Sequence, residues 1–406
     1  MWGKYKTQLI MLILVSCLWT PGTALANDPQ SIPPPDNGAA VINVNGQVNQ
    51  QISALDMRQI EEFVQQVERE FGQYLPGMDF NQLVQKVAKG DISLNVLDLL
   101  NNLLKYIFRE LVANSKLLAQ LIVLAVIGAV LQNLQSAFEK GTTGKVAYAV
   151  VFLSLMILAI QSFSLAINIG REAVDDMVTF MQLMLPILLT LLAAMGGLAS
   201  AAIFHPVMLL ILGAVGTLVK NVIFPLIFFS AVLNIISNFS KDFQVSKLAD
   251  LFKDAGMWLM GLAMTVFLGI MAIQGVAGSV ADGVALRTAK FATGAFIPVV
   301  GKMFADSVEA VVGGSIMLKN AVGLVGLVVV FILCAFPALK ILTMVFVYRI
   351  AAALIQPVAQ GQITNCLSTM GKSLTMVFAA VAVVGLMFFF AITIMVGAGN
   401  MTVMLR

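Results

Sequence analysis

The sequence predicts an all-α membrane protein: a polytopic bundle of about six to eight transmembrane helices, some of them broken or re-entrant, after a small extracytoplasmic helical segment. Hydrophobic residues make up 59% of the 406-residue chain and charged residues 11%, and the mean hydropathy is +0.94. A soluble globular domain is about 25% charged, because its surface must be solvated. Several apolar runs also reach about twenty residues, which is enough to cross a bilayer core of about 30 Å.

Composition and motifs exclude several functional classes. A net charge of +3 without a basic stripe predicts no nucleic-acid partner. The single histidine, His205, excludes a multi-histidine metal site, and the three cysteines form no local CxxC pair. No hydrolase elbow, HExxH or P-loop motif is present. The sequence therefore predicts no enzyme activity and no catalytic, cofactor-binding or metal-ligating residues.

Residues 1–26 have the three parts of a secretory signal peptide. Lys4 and Lys6 are followed by the apolar stretch Leu9 to Trp19 and by the small-x-small site Ala24-Leu25-Ala26. Two alternatives stay open: the signal is kept as an anchor, or it is lipidated at Cys17. A cleaved signal would place the following segment outside the cytoplasm.

Two segments precede the membrane domain. Residues 27–50 are rich in Pro, Asn and Gln and are predicted to be a disordered linker. Residues 51–115 show a helical period of apolar residues, which predicts extracytoplasmic amphipathic helices. Their apolar residues, with Leu104 and Phe108 among them, are interpreted as the core of a cap that packs on the membrane domain, or else as a docking surface for another subunit.

The membrane domain is predicted to occupy residues 116–406. Its six long apolar runs are 117–137, 146–168, 177–200, 257–281, 320–339 and 373–397. The first loop would place Lys140 and Lys145 in the cytoplasm, in agreement with the positive-inside rule. The second would be an outer loop that holds Glu172, Asp175 and Asp176.

Residues 206–238 are too long for one straight span and are interrupted by Lys220 and Asn221, with Pro225 close behind. A hairpin of two short helices and a kinked, tilted span both fit. A lysine at mid-bilayer is costly unless it snorkels, pairs or faces water. Lys220 is therefore either a snorkelling residue at a helix end or part of a polar lumen or subunit contact.

Residues 282–319 and 336–360 are also interrupted. In the first, Gly294, Pro298 and Gly301 break an apolar sequence that charged residues flank, so a re-entrant segment and an interfacial helix are both open. In the second, Pro337 and Lys340 would end one run before a short span or an interfacial helix. The candidate conduit or subunit-contact residues are Lys220, Asn221, Arg287, Lys290, Pro298, Gly301, Lys302, Asp306 and Glu309.

The stretch from Asp282 to Phe291, continuing through Phe296-Ile297-Pro298-Val299-Val300-Gly301 to Asp306, resembles the stage III sporulation protein AE family. So do Gln274-Gly275, Leu318-Lys319-Asn320 and the tail from Gly397 to Arg406. The resemblance covers almost all of the chain after about residue 52.

The resemblance implies a membrane subunit of endospore-forming bacteria, made in the mother cell and placed in the membrane around the forespore. Its partners would be the lipid bilayer, other membrane subunits and a forespore protein, together forming a channel or secretion-like conduit between the two cells; a homo-oligomer is left open. No catalytic residue and no cofactor are implied. The alternatives are a free-standing permease for a small solute and a scaffold that anchors other subunits.

Overall fold

The computed structural model describes residues 57–72, 79–90, 96–137, 142–239, 245–294, 301–358 and 361–404. Every regular element in these ranges is helical, and six helical stretches are long and apolar enough to cross a membrane. The predicted all-α polytopic bundle is confirmed. The predicted signal peptide and linker lie outside the described residues.

Three short amphipathic helices come first: α1 (Arg58–Phe71), α2 (Phe80–Ala88) and α3 (Val96–Ala113). Helix α1 buries Ile60, Val64, Val67 and Phe71, which share one face at helical spacing. Asp79 is the N-cap of helix α2, and its side chain accepts a hydrogen bond from the Gln82 N–H at 3.2 Å.

The longer helices are α4 (Ser115–Ala137), α5 (Thr142–Ala194), α6 (Leu198–Leu218), α7 (Phe224–Phe239), α8 (Ser246–Gly294), α9 (Gly301–Ile355) and α10 (Gln362–Met404). A π-helical turn at Val219–Ile223 joins α6 to α7. The 55 residues of α9 would measure about 80 Å when straight, against about 30 Å for a bilayer core. These helices therefore extend well beyond one bilayer core or run strongly tilted and bent.

Several predicted interruptions are helical. The prediction that Glu172, Asp175 and Asp176 lie in an outer loop is wrong, because these residues lie inside α5. Pro337, Lys340 and Arg349 likewise lie inside α9, so the predicted end of that run near Lys340 is wrong. A proline within a helix removes one backbone hydrogen bond and can bend the helix without ending it.

Residues 206–238 form one continuous helical path, so the hairpin alternative is wrong and the kinked, tilted span stays a prediction. The π-helical turn contains Lys220 and Asn221, and Pro225 follows it directly. A π-helical turn admits one extra residue and often marks a functional position. The six candidate spans therefore include Val146–Ala194 as one helix and Leu198–Asn238 as another.

Glycines allow close contact between neighbouring helices in the bundle. Gly323 of α9 faces Val396 of α10, and Gly385 of α10 faces Cys334 of α9. These two contacts make α9 and α10 an antiparallel hairpin. Gly216 of α6 meets Val178 of α5 in the same way. Such small-residue contacts suit a membrane, where lipid supplies no hydrophobic drive between helices.

We expect Gly385→Ala to destabilise the α9–α10 hairpin by about 1–3 kcal/mol, because the added methyl would overpack the interface. An ideal Cβ at residue 385 would lie 2.7 Å from the Cβ of Cys334. The midpoint of thermal unfolding in detergent measures the effect. Gly397→Ala on the same helix is the control, since its Cβ would meet nothing within 4 Å. Adding Cys334→Gly should restore the midpoint, and equal midpoints for both alanine variants would refute the expected clash.

The first three helices pack on the middle of α5 and α9. The ring of Phe71 stacks on Phe336 with centroids 4.6 Å apart, and Tyr106 meets the same ring edge-on at 4.8 Å. Phe63 approaches Phe180 of α5 at 5.9 Å. Phe336 is therefore the hub of this aromatic contact.

The expectation that Leu104 and Phe108 form part of the cap core is wrong. Both are exposed, at 53% and 66%. On α3 it is Tyr106 that is buried. Because the sequence is apolar on two faces of α3, its period alone does not show which face turns inward.

Candidate functional site

The first turn of α6 is capped by a residue from another helix. Gly197, the N-cap position, makes no side-chain cap hydrogen bond. Instead Asp282 Oδ1, on α8, accepts the N–H of Ala199 at 2.9 Å and that of Ser200 at 3.1 Å. The Asp282 side chain is fully buried. A carboxylate at the positive end of a helix satisfies amides that would otherwise lack partners.

Two further polar side chains satisfy carbonyls of α10. Lys319 of α9 is 1% exposed and donates from Nζ to the Val396 carbonyl at 2.8 Å. Ser279 Oγ of α8 lies 2.7 Å from the Gly275 carbonyl and 3.1 Å from the Ala398 carbonyl, so its proton serves both. A buried ammonium group survives in an apolar bundle only with such partners.

We call the set Ser279, Asp282 and Lys319, with the backbone groups that they bind, the polar clasp. It ties the start of α6, the later part of α8, the early part of α9 and the later part of α10 together. Within the described ranges, Asp282 Oδ2 and Ser200 Oγ are buried and have no hydrogen-bond partner. Buried polar atoms of this kind are rare in native proteins.

The predicted conduit segment flanks the polar clasp along the chain. Arg287 and Lys290 lie in the last turns of α8, while Gly301, Lys302, Asp306 and Glu309 lie in the first turns of α9. Pro298 is outside the described residues, as are the side chains from 285 to 311. Helix α8 ends at Gly294 and α9 begins at Gly301.

A second polar region lies at mid-length of the bundle, where α1 and α3 meet α5 and α9. It encloses a cavity of about 250 Å³, which we call the mid-bundle cavity. The cavity carries both signs of charge. Its lining residues are Glu70, Phe71, Tyr106, Arg109, Glu110, Ile169, Glu172, Ala173, Asp176, Leu333, Pro337 and Lys340.

Lys220 pairs with a carboxylate of the neighbouring helix. Its Nζ forms an ion pair with Asp175 Oδ1, and the two side chains are 29% and 52% exposed. Lys220 thus sits in a π-helical turn within a continuous span, opposite an acid. Asn221, the next residue, is exposed.

We expect Lys220→Glu to lower the amount of protein that accumulates in the membrane, because it sets a carboxylate against Asp175. An exposed ion pair is worth about 0.2–1 kcal/mol, so Lys220→Met should have a smaller effect than the repulsive variant. Immunoblots of membrane fractions measure both. The double variant Lys220→Glu/Asp175→Lys should recover accumulation. Equal accumulation of the Glu and Met variants would argue against the pair.

The polar clasp contains residues that sequence reasoning passed over. Asp282 reads as a lone acid, and its role depends on Ala199 and Ser200, more than eighty residues earlier. Lys319 within an apolar run is the stronger signal, since an ionisable residue inside a span is usually functional and paired. No three His, Cys, Asp or Glu residues of the described part converge as metal ligands.

Two comparisons with known proteins match this chain. The family model for Stage III sporulation protein AE matches residues 78–399. A Bacillus subtilis (strain 168) protein with the same name is 42% identical over 354 residues, covering 87% of this chain and 88% of that protein. No solved structure matches. Asp282, Lys319 and Ser279 all lie within the matched range.

Proposed function

The chain belongs to the stage III sporulation protein AE family, and from this premise we propose that it is a non-enzymatic subunit of a conduit between mother cell and forespore. The family assigns it a role in sporulation, and its apolar helices make it a multi-pass membrane protein. In this proposal it lies in the mother-cell membrane around the forespore, with residues 27–115 on the extracytoplasmic side.

The observation that best supports a conduit is the polar clasp. A subunit that only anchors others in lipid needs no buried Lys319 or Asp282 inside its own helices. Such residues are expensive in a membrane and are typical of pathways and of moving parts. The polar clasp also flanks the segment between α8 and α9, which the sequence predicts to be either re-entrant or an interfacial helix.

The partners in this proposal are the lipid bilayer, other membrane subunits of the same complex and a forespore protein. A homo-oligomer is compatible with it. Deleting the gene should leave engulfment intact and stop forespore development, which microscopy and counts of heat-resistant spores measure. Normal spore counts in a strain that lacks only this gene would contradict the proposal.

Alanine variants at Lys220, Lys302 and Asp306 test whether the chain lines a conduit. If it does, each variant should accumulate normally and yield fewer spores. A pure scaffold should tolerate all three. Asp254→Ala is the control, because Asp254 is an exposed acid on α8. Wild-type spore counts in all the variants would favour the scaffold.

A free-standing permease is the second candidate, supported by the mid-bundle cavity of about 250 Å³ with its mixed charges. Purified protein in liposomes should then move a small solute under a gradient without any other subunit. Complete dependence of solute movement on other subunits would count against the permease.

A further inference from the structure

Helix α3 carries an exposed apolar stripe that the described part of the chain leaves uncovered. Leu104, Phe108 and Val112 follow one another at i, i+4 and i+8 and are 53%, 66% and 71% exposed. We call these three residues the docking stripe. The opposite face of α3 is already occupied, since Tyr106 packs on Phe336. Exposed apolar patches of this kind mark interaction surfaces.

The docking stripe lies on a helix that the single residue Asn114 separates from the first candidate membrane span. The Asn114 N–H donates to the Glu110 carbonyl at 3.0 Å, and the Leu118 N–H donates to the Asn114 carbonyl at 3.1 Å. These two i to i−4 hydrogen bonds connect Asn114 to the helices on both sides of it.

The docking stripe precedes the first candidate membrane span, Ser115–Asn133. The polar residues Asn114, Ser115 and Lys116 separate it from the exposed apolar face of α4. Leu104 lies twelve residues before Lys116, a rise of about 18 Å. The headgroup layer on each side of a bilayer core is only about 5–7 Å thick. A helix along the membrane normal would carry Leu104 beyond that layer.

The charges beside the docking stripe favour one kind of occupant. Lys105 is exposed next to Leu104, and Lys116 is exposed at the membrane end of the stripe. Two copies in one membrane would hold their α3 helices parallel, which brings equivalent lysines together. Flanking residues of opposite charge stabilise a helix pair, and like charges oppose it.

We propose that the docking stripe binds an amphipathic helix of a different polypeptide, one whose apolar stripe is flanked by Asp or Glu. The helix lies upright beside α3 on the extracytoplasmic side, with its apolar residues against Phe108 and its acids near Lys105. This inference rests on the proposed function for the side of the membrane, and it gives the conduit complex a specific contact surface.

A photo-crosslinking amino acid at position 108, in the full-length protein in sporulating cells, tests the proposal. We expect a crosslink to a different polypeptide, at a peptide that mass spectrometry maps to a helix with an acid-flanked apolar stripe. The same group at Ile127, which is 44% exposed on α4, is the control and should mark lipid. A crosslink at 108 only to a second copy, only to lipid, to no protein, or to a peptide without this pattern would overturn the proposal.

Reversing the charge of Lys105 is the second test of the proposal. Lys105→Glu should cause loss of the crosslink while the protein accumulates normally, because the changed residue is exposed. Lysine in place of the facing acid on the captured helix should restore the crosslink. An unchanged crosslink in Lys105→Glu, or no restoration, would refute the charge pairing. The two proposals can fail separately. If the crosslink is absent but the deletion strain still arrests forespore development, the docking stripe is refuted and the proposed conduit function is not.

Discussion

Replacing Asp282 by alanine should greatly reduce both the stability of the protein and the yield of spores. The change removes the cap of α6 and leaves the N–H groups of Ala199 and Ser200 unsatisfied in a buried position. Loss of a cap costs about 0.5–2 kcal/mol, and a buried unsatisfied donor costs about 1–3 kcal/mol. Because the lost cap and the unsatisfied N–H groups are the same two hydrogen bonds, we expect a loss of about 1–3 kcal/mol. Thermal unfolding of the purified protein in detergent measures the loss.

Two companion variants make the Asp282 prediction specific. Asp282→Asn keeps an oxygen that accepts the two N–H groups and should retain most of the stability. Asp254→Ala removes an exposed acid from the same helix and should change the unfolding midpoint little. If Asp282→Ala and Asp254→Ala have the same unfolding midpoint, the hydrogen bonds from Asp282 to α6 do not stabilise the protein.

Replacing Phe336 by alanine should release the first three helices from the bundle. The ring of Phe336 is 2% exposed and is shared by Phe71 and Tyr106. A buried Phe→Ala change typically costs about 3–5 kcal/mol. We expect trypsin to cut faster at Lys86, Lys89 and Lys105 while the long helices stay resistant. Mass spectrometry of a time course identifies the cuts.

The matched control is Phe331→Ala, on the same helix and 44% exposed. It should leave the rate of cleavage in α1–α3 unchanged. The aromatic hub would be refuted if both phenylalanine variants were cut at the same rate as the unchanged protein.

Composition and apolar periodicity were enough to predict the helical bundle, because a chain this poor in charge has few other folds available in lipid. They did not predict that the helices continue through the charged residues and prolines that interrupt the apolar runs. Pro337 and Lys340 look like the end of a span, and yet α9 continues through both. A local sequence pattern contains no information about the tertiary packing that stabilises a helix on both sides of a proline. The length of α5 was missed for the same reason, since Asp175 gains a partner in Lys220 from the next helix.

The candidate site was harder to predict than the fold. Lys220 was interpreted as a snorkelling residue at a helix end or as part of a polar lumen or subunit contact, and neither interpretation included its ion pair with Asp175. Asp282 and Ser279 were not singled out, because what they bind lies 82 and 119 residues away. Contacts at that separation depend on how the helices cross.

The polar clasp also bears on the order in which the protein is made. Ser200 leaves the ribosome 82 residues before Asp282, which is about 4–16 s at ordinary rates of synthesis. Val396, whose carbonyl accepts the hydrogen bond of Lys319, is synthesised 77 residues after Lys319. During these intervals the polar groups need temporary partners, such as water or the insertion machinery. Translation must therefore reach the last helix before the first turn of α6 and the buried lysine are both in their final surroundings.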